Sequence, residues 1–208
     1  MKILQKISVV FLLLYWLPIN TMAQQNAGVT LLKSERGVVL LYNKNSLHFT
    51  IEFAGKDIKP ADSEQIFLSV DNRMLQLQVA DVIEVIGKEK SKLSNADILT
   101  KHRDWERDFL NITLRSQLKV VSEAIKNPAQ RDTLFWHFPM PDGMNEQVSE
   151  QTFLTTVIGD KILALNYSVN KDDSISNAQK YLQETMNSLK TSDKPILVKK
   201  VQEGLRKN

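Results

Sequence analysis

Residues 152–169, TFLTTVIGDKILALNYSV, decide the fold. Two apolar-rich runs, 152–158 and 162–169, flank Gly159-Asp160, and a glycine-started pair between such runs closes a tight antiparallel hairpin. Parallel strands would need a crossover of about a dozen residues, for which there is no room. An amphipathic segment follows directly. Ser174 or Ser176 supplies its N-cap, and Ala178, Tyr181, Leu182, Thr185, Met186 and Leu189 recur at helical spacing.

The same device recurs upstream. Residues 38–42 form an apolar run, Lys44-Asn45 reads as a turn, and Leu47, Phe49, Ile51 and Phe53 then alternate with His48, Thr50 and Glu52, the pattern of a strand with one core face. Residues 65–70 and 74–79 repeat the hairpin around Asp71-Asn72. After a charged connection at 87–92, Ser94 with Asp97 three positions on predicts a capped helix over 95–112, its apolar face drawn from Ile98, Trp105, Phe109 and Ile112. Residues 118–121 fit either a helix continuation or a strand by period, and are assigned as strand. Residues 133–138 place Leu134, Trp136 and Phe138 on one face and Phe135 and His137 on the other, as in a strand covered on both sides. Pro139 and Pro141 end it, and a polar loop runs to about Glu150.

Hairpins interleaved with helices define an α+β class: an antiparallel sheet built from hairpins with two amphipathic helices packed on it, in a single domain over 37–191. A flexible lead-in at 24–36 precedes it. A basic tail at 192–208 follows, with room for a last partial element.

The first 23 residues read as an export signal. Lys2 and Lys6 precede an apolar run at 9–17, Pro18 and Asn20 end it, and Thr21-Met22-Ala23 offers small residues before Gln24, predicting cleavage after Ala23. The run is about half the roughly 20 apolar residues a spanning helix needs. The expected location is exported, periplasmic or secreted, with no stable membrane insertion after cleavage. Without Lys2 and Lys6 the 27 basic residues become 25 against 24 acidic ones, so the charge falls from +3 to +1. Such a chain lacks the basic excess needed to neutralise several phosphates, which argues against nucleic acid as partner. The absence of cysteine excludes disulfides, thiolate nucleophiles and cysteine metal sites.

The motifs that carry chemistry are few. The Gly-x-Ser-x-Gly elbow, the phosphate-cradling loop and the dinucleotide turn are all missing from a chain with seven glycines. No cofactor and no metal is therefore assigned. His102 and Glu106, four apart on the predicted helix with Asp108 near, are the one local metal candidate; the preferred reading is a solvated, ion-paired face. Glu52 with Asp104 or Glu106 could form a carboxylate pair, an arrangement that 24 acidic residues make common by chance. His48 and His137 each stand on a strand opposite more apolar side chains, where a pocket lining competes with a helix cap or water. Trp136-His137-Phe138 beside Pro139-Met140-Pro141-Asp142-Gly143 reads either as a binding rim or, for Trp136 and Phe138, as core. The candidate binding residues are His48, Trp136, His137, Met140 and Asp142. The acceptor triplets at Asn111 and Asn166 fall in predicted regular structure and are given no role.

The closing unit of strand, Gly159-Asp160 turn, strand and amphipathic helix resembles PsbP-like proteins over residues 130–190. That resemblance implies a curved antiparallel sheet between helices and a binding or assembly role, usually beside membrane complexes. It carries no catalytic motif to transfer. The preferred expectation is an exported, non-enzymatic accessory protein that binds a protein partner or cell-envelope component. The alternative is a small secreted hydrolase using His48, His137 and Glu52 on the sheet face.

Overall fold

The alternation at residues 47–53 produces a strand with one fully buried face in the computed structural model, which describes residues 28–61, 65–87 and 92–206. Leu47, Phe49, Ile51 and Phe53 are buried. Their strand, β3 (Leu47–Ala54), lies between β2 (Gly37–Lys44) and the short β11 (Lys190–Ser192), and β1 (Val29–Lys33) completes a four-stranded antiparallel sheet. The lead-in expectation is thus corrected for these residues. Val29 and Leu32 bury their side chains, and β1 pairs with β2 from Val29 opposite Tyr42 to Lys33 opposite Val38.

The remaining hairpins build a second sheet of seven strands. It comprises β4 (Ile58–Pro60), β5 (Ile66–Val70), β6 (Arg73–Asp81), β7 (Val121–Lys126), β8 (Asp132–Pro139), β9 (Val148–Ile158) and β10 (Lys161–Asn170), in the order β4-β5-β6-β10-β9-β8-β7. The opening hairpin holds as read: Ile158 faces Lys161, with Gly159 at φ 61° in the two-residue turn. A left-handed φ there is what selects glycine. Asp71 and Asn72 both take positive φ, 48° and 66°, as the primed hairpin turn requires. The strand assigned to 118–121 begins only at Val121.

Helices cover the large sheet on opposite sides. On one face α1 (Val82–Ile86) and α2 (Asn95–Thr113) enclose Leu134, Trp136, Phe138 and Phe153. On the other, α3 (Ile175–Asn187) packs with the four-stranded sheet over Phe135, Leu154, Leu165 and Tyr167. One core thus joins both sheets. The two long helices are those the sequence predicted, and α4 (Val198–Leu205) is the partial element of the tail. Asn43 fastens the segment before α4 with a reciprocal pair, its Nδ2 donating to Ile196 O and its Oδ1 accepting from Ile196 N, at 2.9 and 3.0 Å. The expected export signal at 1–23 and the connection at 88–91 lie outside the described residues.

The α2 start is the capping box the sequence indicated. Ser94 Oγ accepts from Asp97 N at 3.2 Å, and Asp97 Oδ2 accepts from Ser94 N at 3.1 Å. Ser94→Ala removes one of these and is expected to cost about 1 kcal/mol, read as a lower urea midpoint with an unchanged slope. The apolar face of α2 differs from the prediction. Ile112 is 79% exposed, and the helix instead buries Ile98, Leu99, His102, Glu106 and Leu110. Both sets have helical spacing, and the sheet below selects between them.

Candidate functional site

Strand alternation on β8 sends Leu134, Trp136 and Phe138 towards α2, and Phe135 and His137 to the opposite face. Trp136 is fully buried and lies flat on Phe153, ring centroids 3.8 Å apart and planes within 2°. It belongs to the core, the reading its alternation favours, which corrects its place among the candidate binding residues. His137 sits in the row formed by Val121 of β7, Thr152 of β9 and Tyr167 of β10. Its Nδ1 lies 3.0 Å from Glu150 Oε2, and both side chains remain partly exposed, 15% and 19%. An imidazole beside a carboxylate is equipped to bind a polar group or relay a proton. The neighbouring Thr152 hydroxyl is already used, donating to Tyr167 O at 2.7 Å.

Directly beyond this pair the chain forms the loop at 140–147. Met140 N donates to Ser149 O at 2.9 Å, Met144 N to Pro141 O at 3.2 Å, and Asn145 Oδ1 accepts from Gln147 N and Val148 N at 2.8 and 3.2 Å. These bonds brace the loop from within. Asp142 is exposed and Met144 is 41% exposed, while Met140 is half-buried against the α2-side core. His137, Met140 and Asp142 therefore share one end of the large sheet.

His48 is not with them. It lies in the four-stranded sheet opposite Asn43 on one side and Ser192 on the other, buried, with Nδ1 lacking a hydrogen-bond partner. Glu52 is engaged locally, accepting from Ser34 Oγ at 2.7 Å with Arg36 Nη1 at 3.8 Å. The crevice beside it, lined by Tyr181, Thr185 and Ser188 among others, has about 10 Å³ of room, enough for one water. His48, His137 and Glu52 thus do not form the joint site that the hydrolase alternative required.

A second constellation lies beneath α2. His102 and Glu106 are 2% and 6% exposed, with Nε2 and Oε1 3.8 Å apart, so the solvated-face reading is corrected for both. Arg103, Asp104, Arg107 and Asp108 do form the ion-paired surface, with contacts of 2.7 to 3.1 Å. Burial pushes the Glu106 carboxyl up to about 7 and the His102 imidazolium down to about 4, because each is penalised for carrying charge away from water. Among the described residues no group of three or more His, Asp or Glu is arranged to hold a metal ion. His102 Nδ1 and Trp136 Nε1 are both buried in this layer without partners.

The residues missed by sequence reading are Glu150, Val121 and Glu123. Glu150 reaches His137 only through the β8–β9 register, which sets Pro139 against Glu150 and His137 against Thr152. Thirteen residues separate the pair along the chain, and no spacing motif signals it. Val121 and Glu123 become notable only because β7 lies at the sheet edge.

No protein-family model matches this chain, and no curated protein matches it. Among solved structures it is similar to cyanobacterial PsbP (CyanoP) from Synechocystis sp. PCC 6803, at 13% identity over 83% of this chain and 98% of that one, with a TM-score of 0.44. It is also similar to a protein from Bacteroides thetaiotaomicron at 8% identity, covering 74% of this chain and 52% of that one, with a TM-score of 0.32. The chain spans about half the length of the latter. Both are likenesses of structure at low identity, and no residue role is taken from them.

Proposed function

We propose that this is an exported, non-enzymatic accessory protein that binds a protein partner or cell-envelope component through the β7–β8–β9 end of its large sheet. The observation that carries this reading is the exposed surface there. On β7 every residue but Ile125 is exposed, Val121 is 58% exposed, and the braced loop beside it adds Asp142 and Met144 around the His137–Glu150 pair. Apolar side chains left open beside an ordered polar rim are what a protein interface uses. The hydroxyl next to His137 is committed to a backbone carbonyl, and among the described residues no helix is long and apolar enough to cross a membrane. The committed hydroxyl favours binding over nucleophilic chemistry at this end of the sheet.

Affinity capture of the mature protein from envelope extracts tests the proposal. A specific partner is expected with the parent protein, and Val121→Asp with Met144→Asp is expected to reduce its recovery about tenfold or more, since a charge in an apolar contact costs several times RT. Recovery of no partner, together with turnover of a simple ester or glycan, would reverse the reading in favour of hydrolysis.

A further inference from the structure

The edges of the two sheets are protected unequally. In the seven-stranded sheet, β4 has three residues and ends in Pro60, a short proline-blunted edge. In the four-stranded sheet, β11 has three residues, and β1 runs beside α4, where Leu32 and Lys33 share a groove with Gln202 and Leu205. The remaining edge, β7, is six residues long and exposed at five of them. Such an edge presents unpaired backbone donors and acceptors to an incoming strand.

It is also held ready. Ser122 Oγ accepts from Arg103 Nη1 of α2 at 2.8 Å on one face, and Glu123 Oε2 accepts from Gln179 Nε2 of α3 at 3.0 Å on the other. Clamped from both layers, β7 offers its outer edge without first having to be ordered, which lowers the entropy cost of pairing. Its chemistry is specific as well. Val121, Glu123 and Ile125 share one face by their register with His137, Phe135 and Thr133, and among the described residues Glu123 is met by the neutral Gln179 and by no ion-pair partner. A second copy of the chain fits poorly, because the two-fold register that sets Val121 against Ile125 also sets Glu123 against Glu123.

We infer that β7 receives an extended segment of a partner protein by strand addition, the added strand placing a Lys or Arg opposite Glu123 between apolar residues opposite Val121 and Ile125. The inference rests on the binding reading of this sheet end and specifies its mode. The added strand continues the row of Val121, His137 and Thr152, and its end beyond Val121 approaches the loop that begins after Pro139.

The test is fluorescence anisotropy with the labelled peptide Thr-Val-Thr-Lys-Thr-Val-Thr and the mature protein. Saturable binding is expected, weakened about tenfold by Glu123→Lys and restored in that variant by the peptide carrying Glu in place of Lys, as cross-strand charge pairing requires. N-methylation of one alternate set of peptide amides is expected to abolish binding, and of the other set to leave it. Absence of saturable binding, indifference to both the charge swap and N-methylation, or a dimer of the parent protein that Glu123→Lys dissociates would overturn the inference. If capture from extracts succeeds and the peptide fails, the binding reading stands without strand addition. Glu123 is on the surface, and far-UV circular dichroism of the variant verifies that the fold is kept.

Discussion

Single replacements of Glu106 and His102 are expected to tilt the pH dependence of stability in opposite directions, while the parent protein stays nearly level between them. Folding raises Glu106 from 4.5 to about 7, so between those values the folded state holds a proton the unfolded chain has released. Its contribution is full below 4.5 and is lost as pH rises towards 7. Folding lowers His102 from 6.5 to about 4, so its contribution is full above 6.5 and is lost as pH falls towards 4. Where the windows overlap, between 4.5 and 6.5, the unfolded chain carries the proton on His102 and the folded protein carries it on Glu106. The counts are equal and the two slopes cancel.

Removing one member exposes the other. Relative to the parent, Glu106→Gln is expected to gain about 3 kcal/mol as pH rises from 4.5 to 7, and His102→Gln to lose about 3 kcal/mol as pH rises from 4 to 6.5. Urea unfolding of the parent and both variants at a series of pH values supplies the measurement. Parallel curves for all three would show that neither group is desolvated by folding.

The second large effect concerns Trp136. Its ring is fully buried and stacked on Phe153, with Phe138 at 6.3 Å. Trp136→Ala removes that volume beneath α2 and is expected to cost about 4 kcal/mol, a large share of a domain's stability. Trp136→Phe keeps most of the contact and removes an indole N–H that has no acceptor, so its expected cost is only about 1 kcal/mol. Urea midpoints separate the two, and amide exchange in α2 should accelerate in the alanine variant. Equal costs for Ala and Phe would mean that the stack contributes little to docking the helix.

The hairpins were legible because turn chemistry and alternation are local. Gly159-Asp160, Asp71-Asn72 and the Leu47 to Phe53 alternation each act within a few residues, and so do the Ser94 and Ser174 caps. The buried face of α2 was not legible in the same way. Ile98, Trp105, Phe109 and Ile112 satisfy helical spacing as well as Ile98, His102, Glu106 and Leu110 do, and hydropathy favours the former set. The closure of α2 over β8 and β9 turned His102 and Glu106 inward.

The candidate site shows the same division. His137, Met140 and Asp142 were found as neighbours because they lie within six residues of one another on a strand and the loop that leaves it. Alternation gives His48 the same signature as His137, but His48 stands in the four-stranded sheet between Asn43 and Ser192, and His137 in the seven-stranded sheet between Val121 and Thr152.

The α+β class, the antiparallel hairpins and the two long helices follow from backbone geometry and periodicity over a few residues, and so can be read along the chain. Which strands join which sheet, the open edge at β7 and the meeting of Glu150 with His137 arise only in the folded molecule. Those outcomes depend on register and on burial against distant segments, which no local window contains.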